Sequence, residues 1–262
     1  MKSIKDKIKK SFSKSFKTYD RYAVVQDLIS EKLINRLKNK KINSILEIGT
    51  GTGNYAVKLK KMYPDSKLYL IDFSKKMLSM AEKKLSNYYG IKYIIDDAEN
   101  MDFNKLSGRK FDLITSNSTF QWFENLNKYL TQIINFLSPG GVLLFSYFGN
   151  KTFIELNEVL KVYYNDSGMQ LPAQKFISAP ELEKLIKSIT GNYYLQEFNE
   201  YREYPDLLAL LKEIRGTGEY GYGTGKKIYF TKKSIKEIEK IYRDLFQSVI
   251  ATYNFYIVEL NL

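Results

Sequence analysis

The sequence contains no cysteine and no histidine among its 262 residues. Without cysteine there is no disulfide framework and no thiolate nucleophile. Without histidine the chain cannot use a Ser-His-Asp triad, a Cys-His pair or a histidine-ligated zinc ion. Any chemistry must therefore depend on carboxylates, Tyr, Lys, Arg, amides or a bound cofactor, and we predict no metal site.

Long apolar segments are missing as well. No run of roughly 18 or more apolar residues occurs, so we expect no membrane span. The Lys-rich N-terminus, residues 1–17, lacks the continuous apolar stretch of a signal peptide. With 44% hydrophobic and 15% aromatic residues, the chain has enough apolar side chains for a full core. We therefore predict a cytoplasmic enzyme, and we expect it to be monomeric.

Arginine is scarce, although the formal net charge is +12. A positive field attracts anionic partners such as nucleic acid, an anionic membrane or an acidic protein. The chain nevertheless lacks the Arg-dense stripe of a dedicated nucleic-acid reader, so we expect no stable nucleic-acid complex. The plainer alternative is that the lysines serve only solubility. Arginine occurs at these positions: Arg21, Arg36, Arg109, Arg202, Arg215 and Arg243.

Short apolar strands alternate with helical patterns through the chain. The strands are predicted at 44–48, 67–71, 92–95, 111–115, 142–148, 193–204 and 252–260. A helix is predicted over about 126–137, and residues 171–178 are predicted to form a loop. The alternation indicates a doubly wound, seven-stranded, mostly parallel α/β sheet covered on both faces, with N-terminal helices and an inserted helical lid.

A glycine-rich loop follows the first predicted strand. It reads Glu47-Ile-Gly49-Thr50-Gly51-Thr-Gly53, so three glycines permit a tight turn and let a ligand approach bare backbone. This G-x-G-x-G pattern, with an acid two residues before it, resembles the nucleotide loop of class I methyltransferases, which bind S-adenosylmethionine. The alternatives are a tight turn that holds no ligand and a loop that binds NAD.

Polar residues at the ends of the next strands complete the predicted cofactor site, because ligands bind at the carboxyl ends of such strands. Asp72, after the second strand, is placed to accept hydrogen bonds from ribose hydroxyls, and we expect Asp97, after the third strand, to be placed near the adenine amine. Asn117 stands at the end of the fourth strand. Further predicted cofactor-binding residues are Gln26, Phe73, Met77 and Ala98.

The residues that the chain lacks limit which groups it can methylate. A cytosine-C5 enzyme needs a cysteine nucleophile, and a catechol or phenol methyltransferase usually needs a histidine base. Enzymes that methylate exocyclic amines of nucleic acids usually carry a Pro-Pro-aromatic patch after strand four, whereas residues 116–123 contain no proline. A carboxylate has an ordinary pKa of about 4, so it is already ionised near pH 7 and needs only desolvation and alignment.

Several motifs together resemble the malonyl-[acyl-carrier protein] O-methyltransferases of biotin synthesis. The resemblance covers nearly the whole chain. Near the N-terminus, it rests on the segment from Phe12 to Gln26, which contains Thr18-Tyr19-Asp20. After strand four, it rests on Ser116-Asn117 and Gln121-Trp122-Phe123. Three later segments, 145–156, 171–178 and 211–218, complete it. The trans-aconitate methyltransferases, which also methylate a carboxylate, share the Gln-Trp element.

Two positions depart from the family pattern. The family usually has Cys in its glycine loop where this chain has Thr50. That change is conservative, because the loop acts through its backbone. After Gly218 the family tends toward a run of small residues and Asn, whereas this chain has the glycine-rich segment 219–225.

The resemblance implies the reaction: the free carboxyl group of a malonyl thioester on acyl carrier protein becomes a methyl ester. Tyr19 and Arg215 are our candidates for orienting that carboxylate. Gln121 offers an amide to cofactor or substrate, and Trp122, the only tryptophan, would wall the pocket. The plainer alternatives are a packing aromatic at Tyr19 or Trp122, a surface salt bridge at Arg215 and a capping amide at Gln121.

The resemblance also predicts how the chain is divided into segments and which partner it binds. We predict one domain with a basic helical segment (1–42), an S-adenosylmethionine-binding core (43–150) and a lid insertion with the last strands (151–262). The partner would be malonylated acyl carrier protein, an acidic protein that can dock on the Lys-rich first helix and the lid helices. Alternatives are a carboxyl methyltransferase for small diacids, an RNA methyltransferase and a cofactor-binding regulator without activity. Whether the malonyl group sits on carrier protein or on coenzyme A stays open.

Overall fold

A computed structural model describes residues 4–218 and 230–262. Its strands form one seven-stranded sheet in the order β3-β2-β1-β4-β5-β7-β6. The strands are β1 (Ser44–Ile48), β2 (Lys67–Asp72), β3 (Ile91–Ile95), β4 (Phe111–Ser116), β5 (Leu137–Phe148), β6 (Tyr193–Tyr204) and β7 (Val249–Asn261).

The strand pairs β1–β2, β1–β4, β2–β3 and β4–β5 are parallel. The ring pairs Tyr147–Tyr256 and Phe148–Tyr253 run in opposite sequence directions, so β7 is antiparallel to β5. The predicted doubly wound, mostly parallel sheet is therefore confirmed. Because β1, β2, β3 and β4 run in the same direction, the glycine loop and the polar residues after β2, β3 and β4 emerge at one edge.

Ten α-helices occur in the described part of the chain. They are α1 (Ile4–Ser15), α2 (Tyr19–Tyr22), α3 (Val24–Arg36), α4 (Asn54–Met62), α5 (Lys75–Lys84), α6 (Leu126–Ile133), α7 (Ile154–Tyr164), α8 (Ala179–Lys187), α9 (Leu207–Gly216) and α10 (Lys232–Phe246). Short 3₁₀ turns cover Phe103–Leu106, Phe120–Trp122, Ile134–Phe136 and Pro172–Lys175. The last of these lies within the predicted 171–178 loop.

Two element boundaries differ by four residues or more from the sequence expectation, and β7 begins at Val249 rather than Thr252. Strand β5 begins at Leu137 rather than Val142, so Pro139-Gly140-Gly141 lies inside it. The register shifts between Phe111 and Leu113 on the partner strand, and such an irregularity accommodates a proline that cannot donate a backbone hydrogen bond. Helix α6 ends at Ile133 and continues as a 3₁₀ turn, which shortens the predicted helix.

The burial of each strand explains how apolar its sequence is. Four of the five residues of β1 are buried, and in β7 every residue from Ala251 to Leu260 is buried. Continuous burial is expected for central strands that are covered on both faces. The edge strand β3 has no buried residue, and its sequence mixes Lys92 and Tyr93 with isoleucines.

The chain forms two compact units. One contains Met1–Ala23, Phe148–Ala179 and Glu197–Phe255, and the other contains Val24–Tyr147, Pro180–Gln196 and Tyr256–Leu262. We call them the acceptor unit and the glycine-loop unit, after the predicted site residues that each contains. The division into segments 1–42, 43–150 and 151–262 remains a prediction. No helix within 4–218 and 230–262 is long and apolar enough to cross a membrane.

Candidate active site

The glycine loop between β1 and α4 turns through three residues of positive φ: Gly49 at 73°, Gly51 at 57° and Gly53 at 86°. Such values favour glycine, because a side chain is strained there. Packing adds a second requirement at two of them. A Cβ atom at Gly49 would clash with the Thr119 side chain, and one at Gly53 would lie 2.8 Å from the Ala81 Cα.

Gly51 differs from the other two glycines because a Cβ atom there would meet nothing within 4 Å. Its backbone N–H donates to the Asp72 carboxylate at 2.9 Å. The other carboxylate oxygen of Asp72 accepts from the Ser74 backbone N–H at 2.7 Å. Asp72 therefore links the loop to the start of α5, where Ser74 caps the helix through the Met77 N–H. The open side of Gly51 is the place where a ligand can approach bare backbone.

Glu47 is the buried acid of this loop, with 1% of its surface exposed. Its Oε2 atom has no hydrogen-bond partner among the described residues, and neither does the buried Thr50 Oγ1. Burial raises the pKa of Glu47 well above its usual value, and the neighbouring charge of Asp72 raises it further. A buried acceptor without a partner is costly, so these two oxygens suit a ligand that brings hydrogen-bond donors or positive charge.

The predicted adenine-side residues follow β3. The Asp97 carboxylate accepts from the Glu99 backbone N–H at 3.2 Å and from the Asn100 side chain at 2.8 Å. The Asp96 N–H donates to the Asp72 carbonyl oxygen, which ties this turn to the end of β2. Asp97 is half-buried and Ala98 is buried. This turn therefore lies beside the glycine loop, in the same unit.

Asn117 acts as a clamp at the end of β4. Its Nδ2 donates to the Gln26 carbonyl oxygen at 2.9 Å. Its Oδ1 accepts from the Ser146 hydroxyl at 2.9 Å and from the Ser118 hydroxyl at 3.1 Å. The amide thus joins α3, β4 and β5, and its second N–H has no acceptor among residues 4–218 and 230–262. Sequence reasoning missed Ser118 and Ser146, because serines carry no signal of such a role.

Residues 116–123, the β4 loop, lie against the glycine loop. The Ser116 hydroxyl donates to the Ile48 carbonyl oxygen at 2.9 Å, and the Thr119 hydroxyl donates to that of Gly49 at 3.5 Å. Gln121 Nε2 donates to the Ser118 carbonyl oxygen at 2.7 Å. Its Oε1 is buried and has no partner in the described part of the chain. Gln121 therefore presents a fixed acceptor, with Trp122 half-buried beside it.

The remaining predicted cofactor residues also lie in the glycine-loop unit. Gln26 is buried in α3, and its backbone carbonyl oxygen holds Asn117. Met77 is buried in the first turn of α5, and Phe73 lies half-buried between Asp72 and that helix. All twelve predicted cofactor-binding residues, together with Gln121 and Trp122, therefore belong to one compact unit. Their contact with a cofactor stays a prediction.

Tyr19 and Arg215 lie in the acceptor unit, on helices that pack against each other. The Thr18 hydroxyl donates to the Gly216 carbonyl oxygen at 3.2 Å, and a Cβ atom at Gly216 would clash with the Tyr22 ring. Tyr19 is half-buried in α2 and Arg215 is exposed near the end of α9. The structure thus brings together two helices that are far apart in sequence and that carry the two predicted carboxylate-binding residues.

A buried polar cluster holds α9. Glu213 Oε1 accepts from Arg202 at 3.0 Å and from the hydroxyls of Tyr204 and Tyr253, each at 2.8 Å. Burial raises the pKa of Tyr204, so its hydroxyl stays protonated and donates. Sequence reasoning missed Glu213, whose partners are on other elements. The glycine-rich segment 219–225 lies outside the described residues.

A family model described as "Methyltransferase domain" matches residues 39–202. Two curated relatives from different bacteria match nearly the whole chain. "Malonyl-[acyl-carrier protein] O-methyltransferase 1" from Ilyobacter polytropus is 35% identical over 249 residues, 92% of this chain and 88% of that protein. "Malonyl-[acyl-carrier protein] O-methyltransferase" from Priestia megaterium is 35% identical over 244 residues, 89% of this chain and 81% of that protein.

Solved structures of low sequence identity share the fold. The YcgJ protein from Bacillus subtilis superposes with a TM-score of 0.60 at 16% identity, covering 89% of this chain and 97% of that one. The phosphoethanolamine N-methyltransferase 2 of Haemonchus contortus, in complex with S-adenosylhomocysteine, gives a TM-score of 0.60 at 19% identity. That match covers 99% of this chain and 61% of that one. At these identities the likeness concerns the fold.

Proposed function

Because the chain belongs to the malonyl-[acyl-carrier protein] O-methyltransferases, within the methyltransferase-domain family, we propose that it methylates the free carboxylate of a malonyl thioester on acyl carrier protein. The methyl donor is S-adenosylmethionine. The product is a methyl ester that no longer carries the carboxylate charge. Such an ester can be elongated by fatty-acid synthesis enzymes as a disguised primer, here for the pimeloyl chain of biotin.

The observation that carries this proposal is the glycine loop. Gly51 leaves its backbone bare toward open space, and the buried Glu47 beside it keeps an oxygen without a partner. S-adenosylmethionine brings an ammonium group and a sulfonium, which match a buried carboxylate, and ribose hydroxyls, which match Asp72. Glu47 and Thr50 would hold the amino-acid part, and Asp72, Asp97 and Ala98 the nucleoside. We propose that Gln26, Phe73, Met77 and Asn117 also contact the cofactor.

The bound cofactor supplies an electrophilic methyl group on a positively charged sulfur. In the proposed reaction a malonyl carboxylate oxygen would take up that methyl group, and the electron pair of the broken sulfur–carbon bond would stay on sulfur. No proton moves, because a carboxylate with an ordinary pKa of about 4 is already ionised. The protein therefore needs no general base, which agrees with a chain that has no histidine and no cysteine. Its task is to orient and desolvate the carboxylate.

Tyr19 and Arg215 are the residues that we propose for this orientation. A guanidinium forms a charge-assisted pair with a carboxylate, and the tyrosine hydroxyl adds a directed hydrogen bond. Esterification removes the charge, so the ion pair is lost and product release becomes favourable. Gln121 would direct its buried Oε1 at a donor on the cofactor or substrate, and Trp122 would form part of the pocket wall.

The test is a mass-shift assay with purified protein, S-adenosylmethionine and malonyl-acyl carrier protein, with acetyl-acyl carrier protein as the matched control. We expect one added methyl group on the malonyl form and none on the acetyl form. Malonyl-coenzyme A in a parallel reaction decides between the two thioesters. Cofactor binding without methylation of either malonyl thioester would refute the proposed acceptor. Methylation of trans-aconitate, or of bulk tRNA, would then identify the acceptor class.

We also propose that the enzyme acts as a monomer in the cytoplasm. The first point is tested by size-exclusion chromatography with light scattering, where a mass near 30.7 kDa is expected. A stable dimer mass at micromolar concentration would contradict it.

A further inference from the structure

Helix α1 presents a row of lysines to solvent. Lys7, Lys10 and Lys14 are spaced three and four residues apart, so their side chains share one face of the helix. All three are exposed. None forms an ion pair with any residue in the described part of the chain. The row therefore keeps its full positive charge for an external partner.

The same helix lies next to the segment that carries Arg215. A Cβ atom at Gly218, just after α9, would lie 2.8 Å from the Ser15 hydroxyl and 3.3 Å from atoms of Phe12. The Thr18 hydroxyl, between α1 and α2, donates to the Gly216 carbonyl oxygen. The lysine row, α2 with Tyr19 and the end of α9 thus form one packed piece of the acceptor unit.

We propose that Lys7, Lys10 and Lys14 form the surface that receives the acidic carrier protein, an inference that rests on the proposed function. An acidic protein that delivers a thioester must dock close to the residues that bind the acyl carboxylate. A row of unpaired lysines beside those residues meets this need. Charges of this kind mainly raise the association rate, and their effect is screened by salt over about 8–10 Å.

The opposite face of α1 argues against a membrane as the partner. An amphipathic helix binds a bilayer through a free apolar face. Ile8, on the apolar side of α1, is only 4% exposed because it is buried by other residues of the protein. Phe12 and Phe16 on the same side are half-buried. The apolar side of the helix is therefore largely covered by the protein, which suits a soluble acidic partner better than a bilayer. Nucleic acid is the remaining anionic class, and the experiment includes it.

The experiment compares two triple charge reversals in the full-length protein. The first is Lys7→Glu, Lys10→Glu and Lys14→Glu on α1. The control is Lys232→Glu, Lys236→Glu and Lys240→Glu on α10, which changes the net charge equally. The control lysines are also exposed, share a helix face and form no ion pair with any described residue. Melting curves establish that both variants fold.

The readouts are the Kd for fluorescently labelled malonyl-acyl carrier protein at several salt concentrations, the Kd for bulk tRNA, and the KM and kcat for malonyl-acyl carrier protein. For the α1 variant we expect Kd and KM to rise about tenfold or more, with kcat at saturation unchanged, because rim charges act mainly on association. Its Kd should also depend less on salt. The control should stay within about twofold of the unmodified protein, since only a local surface is involved.

Equal weakening in both variants would show a general effect of net charge and would overturn the proposed surface. An unchanged α1 variant beside a weakened control would overturn it as well. If the lysines are needed for binding of tRNA and the protein has no measurable affinity for carrier protein, the proposed partner is wrong and nucleic acid is the partner of this surface. Lysine-dependent binding of the carrier without any methylation would refute the proposed function and leave the docking surface standing.

Discussion

The substitution Glu47→Gln tests the account of the glycine loop, because it removes a buried charge and keeps the shape of the side chain. Leaving a buried polar atom without a partner costs about 1–3 kcal/mol, and more for a charged group. The Oε2 atom of Glu47 is such an atom. The amide of the variant also lacks a partner there, so only the added cost of burying the charge is relieved. Where Glu47 is ionised, we therefore expect the variant without cofactor to be more stable than the unmodified protein by about 1 kcal/mol or more. Each kcal/mol corresponds to a rise in Tm of about 2–4 °C in a domain of this size.

The pH dependence gives this prediction its sign. The pKa of Glu47 is raised in the folded protein above its ordinary value of 4.5, first by burial and then by Asp72. The folded state therefore holds a proton that the unfolded state releases, and this contribution to stability is lost as the pH rises from about 4.5 through the folded pKa. The amide of the variant cannot titrate. The stability advantage of the variant should therefore grow with pH across that window.

Glu259→Gln is the matched control, since Glu259 is also a buried glutamate. Burial alone would raise its pKa, but hydrogen bonds from Arg36 and Lys40 lower it below the usual value. Its stabilising contribution is present above the unfolded pKa and is lost as the pH falls through the folded pKa. Glu259→Gln should therefore be destabilised at neutral pH, opposite in sign to Glu47→Gln.

Differential scanning calorimetry between about pH 5 and about pH 8 measures both effects. Isothermal titration calorimetry measures the second consequence, which is the loss of a charged partner for S-adenosylmethionine. A hydrogen bond to a charged group is worth about 1.5–3 kcal/mol, so we expect an affinity loss of about tenfold to hundredfold. A Glu47→Gln protein with unchanged or lower Tm at the upper pH would refute the reasoning about the unpartnered carboxylate.

Substitutions at four further positions probe the rest of the site. Gly51→Ala meets open space, so it should cost only the strain of positive φ, about 1–2 kcal/mol of folding stability, yet calorimetry should show weaker binding of S-adenosylmethionine. Gly49→Ala, which clashes with Thr119, should lower Tm more than Gly51→Ala does, and equal losses of Tm would contradict the geometry. Asn117→Ala removes the amide that joins Gln26 and Ser146, so urea unfolding should show a loss of about 1–3 kcal/mol; an unchanged midpoint would contradict the clamp. Arg215→Ala should raise KM for malonyl-acyl carrier protein about tenfold, because a charged hydrogen bond is lost. The KM of Arg215→Lys should lie between that of Arg215→Ala and that of the unmodified protein. If kcat and KM are unchanged, Arg215 does not belong to the site.

The sequence alone was sufficient for the order of strands and helices and for the position of the glycine loop. Strand β1 and strand β6 have the predicted bounds, and Ser74 caps α5 through its side chain. These features depend on the period of apolar residues and on residues that are adjacent in the chain. Adjacent residues contact each other in any fold, so their pattern is readable without tertiary structure. The start of β5 was wrong because a register irregularity against β4 decides it.

The absence of histidine and cysteine is likewise a property of the sequence alone, and it indicates that an acceptor needing no base, such as a carboxylate, fits this chain best. Only the tertiary structure decided why Gly49 must be glycine, since Thr119 is 70 residues away. The same is true of the unpartnered oxygen of Glu47, the clamp at Asn117 and the packing of α2 on α9. Each depends on which atoms the folded backbone brings within a few ångströms of each other. That proximity between distant residues is a property of the sheet order and the helix packing, which no local pattern contains.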